Sequence, residues 1–235
     1  MKHIVHFFFL KKTHMKKYLT IFLVLIAVQS NAQRTMFTAQ NKYVAPELPV
    51  STVVSAGGRI WMDRNLGASQ VATSSTDISS FGDLYEWGRA KDGHQLRTAT
   101  TTSTQSTADS PGNSLFIIGS GDWRNPSNPT LWQGLNGINN PCPTGFRIPT
   151  KVEWETEMAS WSSQNDVGAF TSPLKLPNGG FRNTDGNVYT NTTFADYWSS
   201  TVIGGTSGRM FFYPGGAGTD GISRSFGFSC RCIKD

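Results

Sequence analysis

Apolar and polar positions repeat with two different periods along this chain, and the changes of period mark its elements. Between Lys151 and Trp161 the residues Trp154, Met158 and Trp161 recur at i, i+4 and i+7, which places them on one face of a helix. Thr150 and Glu153 form a capping box at its start, the hydroxyl accepting from one free backbone N–H and the carboxylate from another. Pro149 disfavours helix upstream of the cap, and Gly168 is expected to limit any continuation. Period two governs elsewhere. "TVVSAGGRIWM" (52–62) has two apolar runs around Ala-Gly-Gly and predicts a hairpin. In "RMFFY" (209–213) Met210 and Phe212 share one side of a strand, while Arg209, Phe211 and Tyr213 share the other. In the last strand Phe226, Phe228, Cys230 and Cys232 share the core-facing parity, with Ser229 and Arg231 opposite. If extended, "FGDLYEWGRA" (81–90) carries Phe81, Tyr85 and Trp87 on one side.

Two stretches have no period. Residues 98–111 are rich in threonine and serine and are expected to form a long exposed loop. "DWRNPSNPTLWQGLNGINNP" (122–141) is full of Asn, Pro and Gly and holds to a core only where Trp123 and Trp132 pin it. Many short strands around one or two helices make an α+β module, neither a doubly wound sheet nor a helix bundle.

The beginning of the chain reads differently. From Met15, two lysines precede an apolar run of about 10 residues ending at Val28, followed by Ser-Asn-Ala. A secretion signal over 1–32, cleaved near Ala32–Gln33, is expected, with Met1–His14 as an alternative upstream start. The run is too short for a membrane span, which needs roughly 20 residues. Residues 33–50, with two prolines and no period, read as a linker, and 51–235 as the domain. The leader also changes the charge. The chain has 21 basic and 16 acidic residues, and five lysines (Lys2, Lys11, Lys12, Lys16, Lys17) with no acid lie in 1–32, which leaves 16 of each from 33 onward. A neutral domain lacks the basic footprint of a nucleic-acid binder.

Candidate chemistry is sparse. His94 is the one histidine beyond residue 32, which excludes the common two-imidazole zinc sites; in "KDGHQ" it reads as a solvated or hydrogen-bonded turn histidine. No Gly-x-Ser-x-Gly elbow is present. Glu153 is used by its cap, and Glu155 and Glu157 are expected on the polar helix face. Arg147 and Arg231 are expected to bond loop carbonyls or acids such as Asp63 or Asp83. In an oxidising compartment Cys142 pairs with Cys230 or Cys232, Cys232 lying nearer the strand end where a loop could reach it. Either closure spans roughly 90 residues and contributes on the order of 4 kcal/mol in the chain-entropy picture. Of the seven tryptophans, most are expected in the core, with Trp123 and Trp132 the best candidates for exposed ligand-binding rings. Arg209, Phe211 and Tyr213 complete the candidate binding surface, since arginine and aromatic side chains are the usual anchors of binding energy.

The blocks "IWMDRNLGA", "FGDLYEWGRAKDGH", "NPCPTGFRIPTKVEW", "YWSST" and "GFSCRCIKD" resemble, in order, those of the Fibrobacter succinogenes major paralogous domain, a family of secreted or surface proteins. The resemblance covers roughly residues 50–235. The family's last block usually has valine where this chain has Cys230, which implies the pair Cys142–Cys232 and a buried free thiol at Cys230. "RIPTKVEWE" is more distantly similar to the formylglycine-generating enzymes (sulfatase-modifying factors) and the C-type-lectin-like folds. That likeness implies a compact α+β domain whose twisted sheet presents irregular loops. The expected function is a secreted or surface, non-catalytic module binding an extracellular glycan or protein, without metal or cofactor. The Glu-Pro-Asn and Trp-Asn-Asp motifs of calcium-dependent lectins are missing from the sequence. The alternative is an enzyme with a cysteine-based site related to the formylglycine-generating group.

Overall fold

The computed structural model describes residues 50–190 and 193–235, and the expected leader and the linker up to residue 49 lie outside them. Val50–Asp235 forms one unit. The expected hairpin is β1 (Thr52–Val54) and β2 (Ile60–Met62), with Val53 opposite Trp61. Short strands follow: β3 (Tyr85–Glu86), β4 (Thr101–Thr102), β5 (Phe116–Ile117) and β6 (Phe146–Arg147). Two helices come next, α1 (Lys151–Ala159) and α2 (Asp166–Thr171). After β7 (Phe181–Arg182) and β8 (Val188–Tyr189), a meander of β9 (Ala195–Ile203), β10 (Thr206–Tyr213) and β11 (Gly216–Ile222) leads to β12 (Gly227–Phe228) and β13 (Ile233–Lys234). The described chain is thus α+β and loop-rich, mostly small antiparallel sheets.

Helix α1 starts as the local sequence requires. Thr150 Oγ1 accepts from the Glu153 N–H at 3.2 Å, and the Thr150 N–H donates to Glu153 Oε2 at 2.8 Å. Trp154 and Met158 on its buried face, with Trp161 just beyond its C-cap Ser160, pack with Tyr197 of β9 and with Met210 and Phe212 of β10. The Trp161 ring meets Phe212 edge-on at 5.9 Å. Helix α2 corrects the expectation for Gly168, which lies inside a helix instead of ending one. A Cβ at this position would sit 1.8 Å from the Ser163 carbonyl oxygen, so the residue is glycine for close approach and not for helix termination.

Strand β9 divides the interior. Tyr197 faces the helix-side core with Met210, Phe212 and Trp154, while its neighbour Trp198 faces a second core with Tyr85, Trp87, Trp123, Trp132 and Phe228. Successive residues of a strand point to opposite faces, so one buried strand supports two cores. The indoles also act as polar posts. Trp87 Nε1 donates to Ser199 O at 2.9 Å, Trp154 Nε1 to Trp198 O at 3.1 Å, and Trp198 Nε1 to Tyr85 O at 2.6 Å. Residues 98–111 are largely exposed, as expected, but include β4, which pairs in parallel with β5.

The C-terminal segment departs from a single strand. Strand β12 lies between β3 and β7, and β13 between β2 and β6, so the segment passes from one sheet to another. Phe228, Cys230 and Cys232 are buried as the alternation requires, yet Ser229 and Arg231 opposite them are buried too. Arg231 is enclosed because Asn65 Oδ1 and the Leu174 and Met62 carbonyls take its N–H groups at 3.0, 2.9 and 3.3 Å. The disulfide joins Cys142 to Cys232, with Cα atoms 5.9 Å apart, and Cys230 is a buried free thiol. Gly145, at φ 83°, makes the left-handed turn from the disulfide into β6. Among the described residues no helix is long and apolar enough to cross a membrane.

Candidate functional site

Strand β10 presents two chemically different faces. Met210 and Phe212 are fully buried toward α1, whereas Arg209, Phe211 and Tyr213 lie on the opposite side. These three residues border a groove of about 360 Å³ that is also lined by Phe181, Phe194 and Asp196. The register places Asp196 of β9 across from Phe211, on the groove side. The expected trio is therefore assembled in one place, with two aromatic rings and an acid from outside the "RMFFY" stretch.

The groove's polar centre is Arg209. Its Nη1 donates to Asp196 Oδ1 at 2.7 Å, and its Nε and Nη2 donate to the two carboxylate oxygens of Asp220 at 2.8 and 3.2 Å. Burial pushes the Asp196 carboxyl up to about 6, against the pull of Arg209. The guanidinium carbon stands 5.0 Å from the centre of the Phe211 ring and 5.7 Å from that of Phe228, within cation–π range. Phe211 and Tyr213 lie nearly parallel, 19° apart with centroids 6.5 Å apart. Tyr213 is 46 % exposed.

The flat posture of these rings has a cause in β11. Phe211 is paired with Gly218 and Tyr213 with Gly216. A Cβ on Gly218 would stand 3.1 Å from the Phe211 ring, and one on Gly215 would stand 2.6 Å from the Tyr213 ring. A glycine in β11 and one in the turn that precedes it thus leave room for the two rings. No local pattern in the sequence assigns these glycines to the rings, because the pairing depends on the register of the hairpin.

Trp123 and Trp132 do not join the surface. Both are fully buried, with Trp123 Nε1 donating to Trp87 O at 2.6 Å and Trp132 Nε1 to Asn139 O at 2.8 Å. The expectation of exposed rings is corrected for a physical reason. Their segment is so rich in Asn, Pro and Gly that these indoles are needed as its internal anchors.

A second polar cluster lies inside the molecule. Glu86 and Arg89 form an ion pair at 2.6 Å with both side chains fully buried, and Arg89 also holds Asp92 at 2.7 Å. Burial pushes the Glu86 carboxyl up to about 8, with Arg89 opposing. His94, expected as a turn residue, is buried: it bonds Asp92 at 2.6 Å through Nδ1, and its Nε2 accepts from the Glu86 N–H at 3.1 Å. Glu86, Arg89 and His94 have no exposed surface, and the cluster ties β3 to the following turn, reaching the surface only through the partly exposed Asp92. Glu157, expected on the polar helix face, is also buried, and burial raises its carboxyl while Trp161 Nε1 donates to it at 3.4 Å. It stands between Trp154 and Trp161 and so follows them inward. Arg147 serves the fold as expected, donating to both Glu153 oxygens at 2.8 Å and to Asp235 at 2.7 Å. Among the described residues no group of three or more His, Cys, Asp or Glu is arranged to hold a metal ion. Comparison of the chain with protein-family models, curated proteins and solved structures gives no match.

Proposed function

We propose that this chain is a secreted or surface-borne, non-catalytic recognition module of the Fibrobacter succinogenes major paralogous kind, with a C-type-lectin-like architecture, and that it binds its partner in the Arg209–Tyr213 groove. The observation that carries the reading is that Arg209, Phe211 and Tyr213 border one concave site with Phe181, Phe194 and Asp196. Aromatic and arginine side chains ordered before binding are the usual source of concentrated binding energy. The cysteine-based enzyme alternative needs reactive thiols. Cys142 and Cys232 are joined, and burial holds the Cys230 thiol well above its ordinary range, which favours the binding reading. The pairing of the first hairpin with the last strand, β2 with β13, supports a closed module.

Arrays of glycans and extracellular proteins probed with the exported protein test the reading. Arg209→Ala and Tyr213→Ala should each weaken binding by about 1 kcal/mol or more, roughly fivefold, with the unfolding temperature of Tyr213→Ala unchanged. Folded variants that bind as well as the parent would remove the groove from the function.

A further inference from the structure

Among the described residues, the β9–β11 sheet ends on one side at β11, which hydrogen-bonds β10 and no other strand. Its other side is closed: Trp198 of β9 donates to Ser229 O at 3.0 Å, and Ser200 of β9 to Pro149 O at 2.8 Å. A two-residue turn joins Tyr213 to Gly216, so that pair is bonded in both directions, and bonded pairs recur at Phe211–Gly218 and Arg209–Asp220. The residues between them, Ala217, Thr219 and Gly221, therefore turn their backbone N–H and C=O groups away from β10. Among the described residues these groups have no backbone partner. The strand is at least partly exposed along its whole length.

Natural edge strands are blunted by shortness, Lys, Pro or a bulge. "GAGTDGI" (216–222) has none of these: it is seven residues long, lacks Lys and Pro, and pairs with β10 without a register shift. Its one charged residue, Asp220, is held by Arg209. Glu155 of α1, which accepts from Thr219 Oγ1 at 2.8 Å, is paired with Lys151. An open edge of this length, with its nearby charges already matched, suits the addition of another strand.

The spacing of the outward groups points to the occupant. They lie symmetrically about Thr219, so a two-fold axis at Thr219 sets that residue opposite its own copy and Ala217 opposite Gly221 of the second copy. In that antiparallel register every outward N–H and C=O of both copies finds a partner. Asp220 then faces Gly218 and Ile222 faces Gly216, so no like charges meet and each larger side chain stands opposite a glycine. Paired threonines are themselves favourable across strands.

We propose that two copies of this chain pair through β11 about Thr219, joining their three-stranded sheets into one. The axis is perpendicular to the sheet and keeps both Arg209–Tyr213 grooves on the same face. The two β10 strands are three strand spacings, about 14 Å, apart, which makes the recognition module bivalent. The pairing itself does not depend on the recognition reading.

Sedimentation velocity of the exported protein over a range of concentrations, with amide exchange followed by NMR in the same samples, tests it. A monomer–dimer equilibrium is expected. Exchange at Ala217, Thr219 and Gly221 should slow as the dimer fills, while Gly218 and Asp220 are protected throughout by β10. Thr219→Pro removes an outward N–H without touching the bonds to β10. The axis makes that loss count twice, so association should weaken roughly tenfold or more. Thr219→Val lacks the Glu155 bond but keeps the N–H, and should remain dimeric. A monomer at every concentration, a dimer that Thr219→Pro leaves intact, equal dissociation of folded Thr219→Val, or open-ended polymers would overturn the proposal. Protection of the three amides that is independent of concentration would also overturn it, because a segment of the same chain would then fill the edge.

Discussion

His94 shows how burial and hydrogen bonding set the state of a single side chain. The Glu86 N–H donates to Nε2, so that nitrogen is the acceptor and the proton sits on Nδ1, facing Asp92. A second proton would have to occupy Nε2 and face an amide N–H. Burial accordingly lowers the imidazole to about 4, with Asp92 opposing and Arg89 assisting the fall. A histidine whose folded pKa lies below its unfolded value of about 6.5 contributes stability that is fully present above pH 6.5 and is lost as the pH falls through about 4. The loss amounts to about 3 kcal/mol by the usual conversion of a pKa difference. In proton NMR of the folded protein, the His94 ring resonances should keep their neutral positions down to about pH 5 and shift only near 4. A midpoint close to 6.5 would mean that the ring is solvated. The "KDGHQ" turn was legible in the sequence, but the burial was not, because the groups enclosing the ring come from β3 and from Arg89, whose own position depends on Glu86 and on the Leu115 carbonyl.

Elements were legible here in proportion to how local their causes are. Helix α1 carries its start signal within four residues, and the structure has both halves of the capping box. Thr150→Ala should therefore lower stability by about 1 kcal/mol in urea unfolding, and Glu153→Ala by more. The glutamate also takes both forks of Arg147, which would be left half-buried without that partner. Equal effects of the two substitutions would show that the Arg147 pair contributes nothing beyond the cap. Strand β10 was legible for the same reason, since five alternating residues suffice to assign its faces. The two-residue strands β3 to β8 are too short to carry a period. Helix α2 was missed because glycine reads as a breaker in isolation, while its reason for being at 168 is the Ser163 carbonyl. The two-sided burial around Arg231 arises from Asn65 and Leu174, which are 166 and 57 residues away in the chain. The candidate site was half legible. Arg209, Phe211 and Tyr213 follow from alternation, but Phe181, Phe194, Asp196 and Asp220 join them only through the sheet register.

At the scale of the whole molecule, one covalent link lies where the two ends of the domain meet. Strand β13 runs between β2, from the first hairpin, and β6, which follows the Cys142 turn. Each of these pairings is short, with Ile233 facing Trp61 on one side and Arg147 on the other. Backbone bonding of that extent holds a chain end weakly, and a two-residue strand adds little burial beyond Ile233 itself. The Cys142–Cys232 bond fixes the residue next to β13 to the turn before β6 and closes a separation of 90 residues. In the chain-entropy account such a closure stabilises the fold by about 4 kcal/mol, through loss of freedom in the unfolded chain. Because β13 also completes the sheet that holds the helix entry, its release should loosen the α1 end of the molecule before the β9–β11 meander, which is built from longer and contiguous pairings. Reduction, or the paired substitution Cys142→Ser with Cys232→Ser, should lower unfolding free energy by about 4 kcal/mol and speed amide exchange first at Met62, Phe146 and Ile233. Cys230, buried and with its thiol held well above the ordinary range, should resist alkylation in the oxidised native protein and react once denaturant is added. A reduced protein of unchanged stability would mean that β13 is held by its packing alone. Rapid native alkylation of Cys230 would mean that the core around Tyr85 and Phe228 opens far more readily than its burial implies.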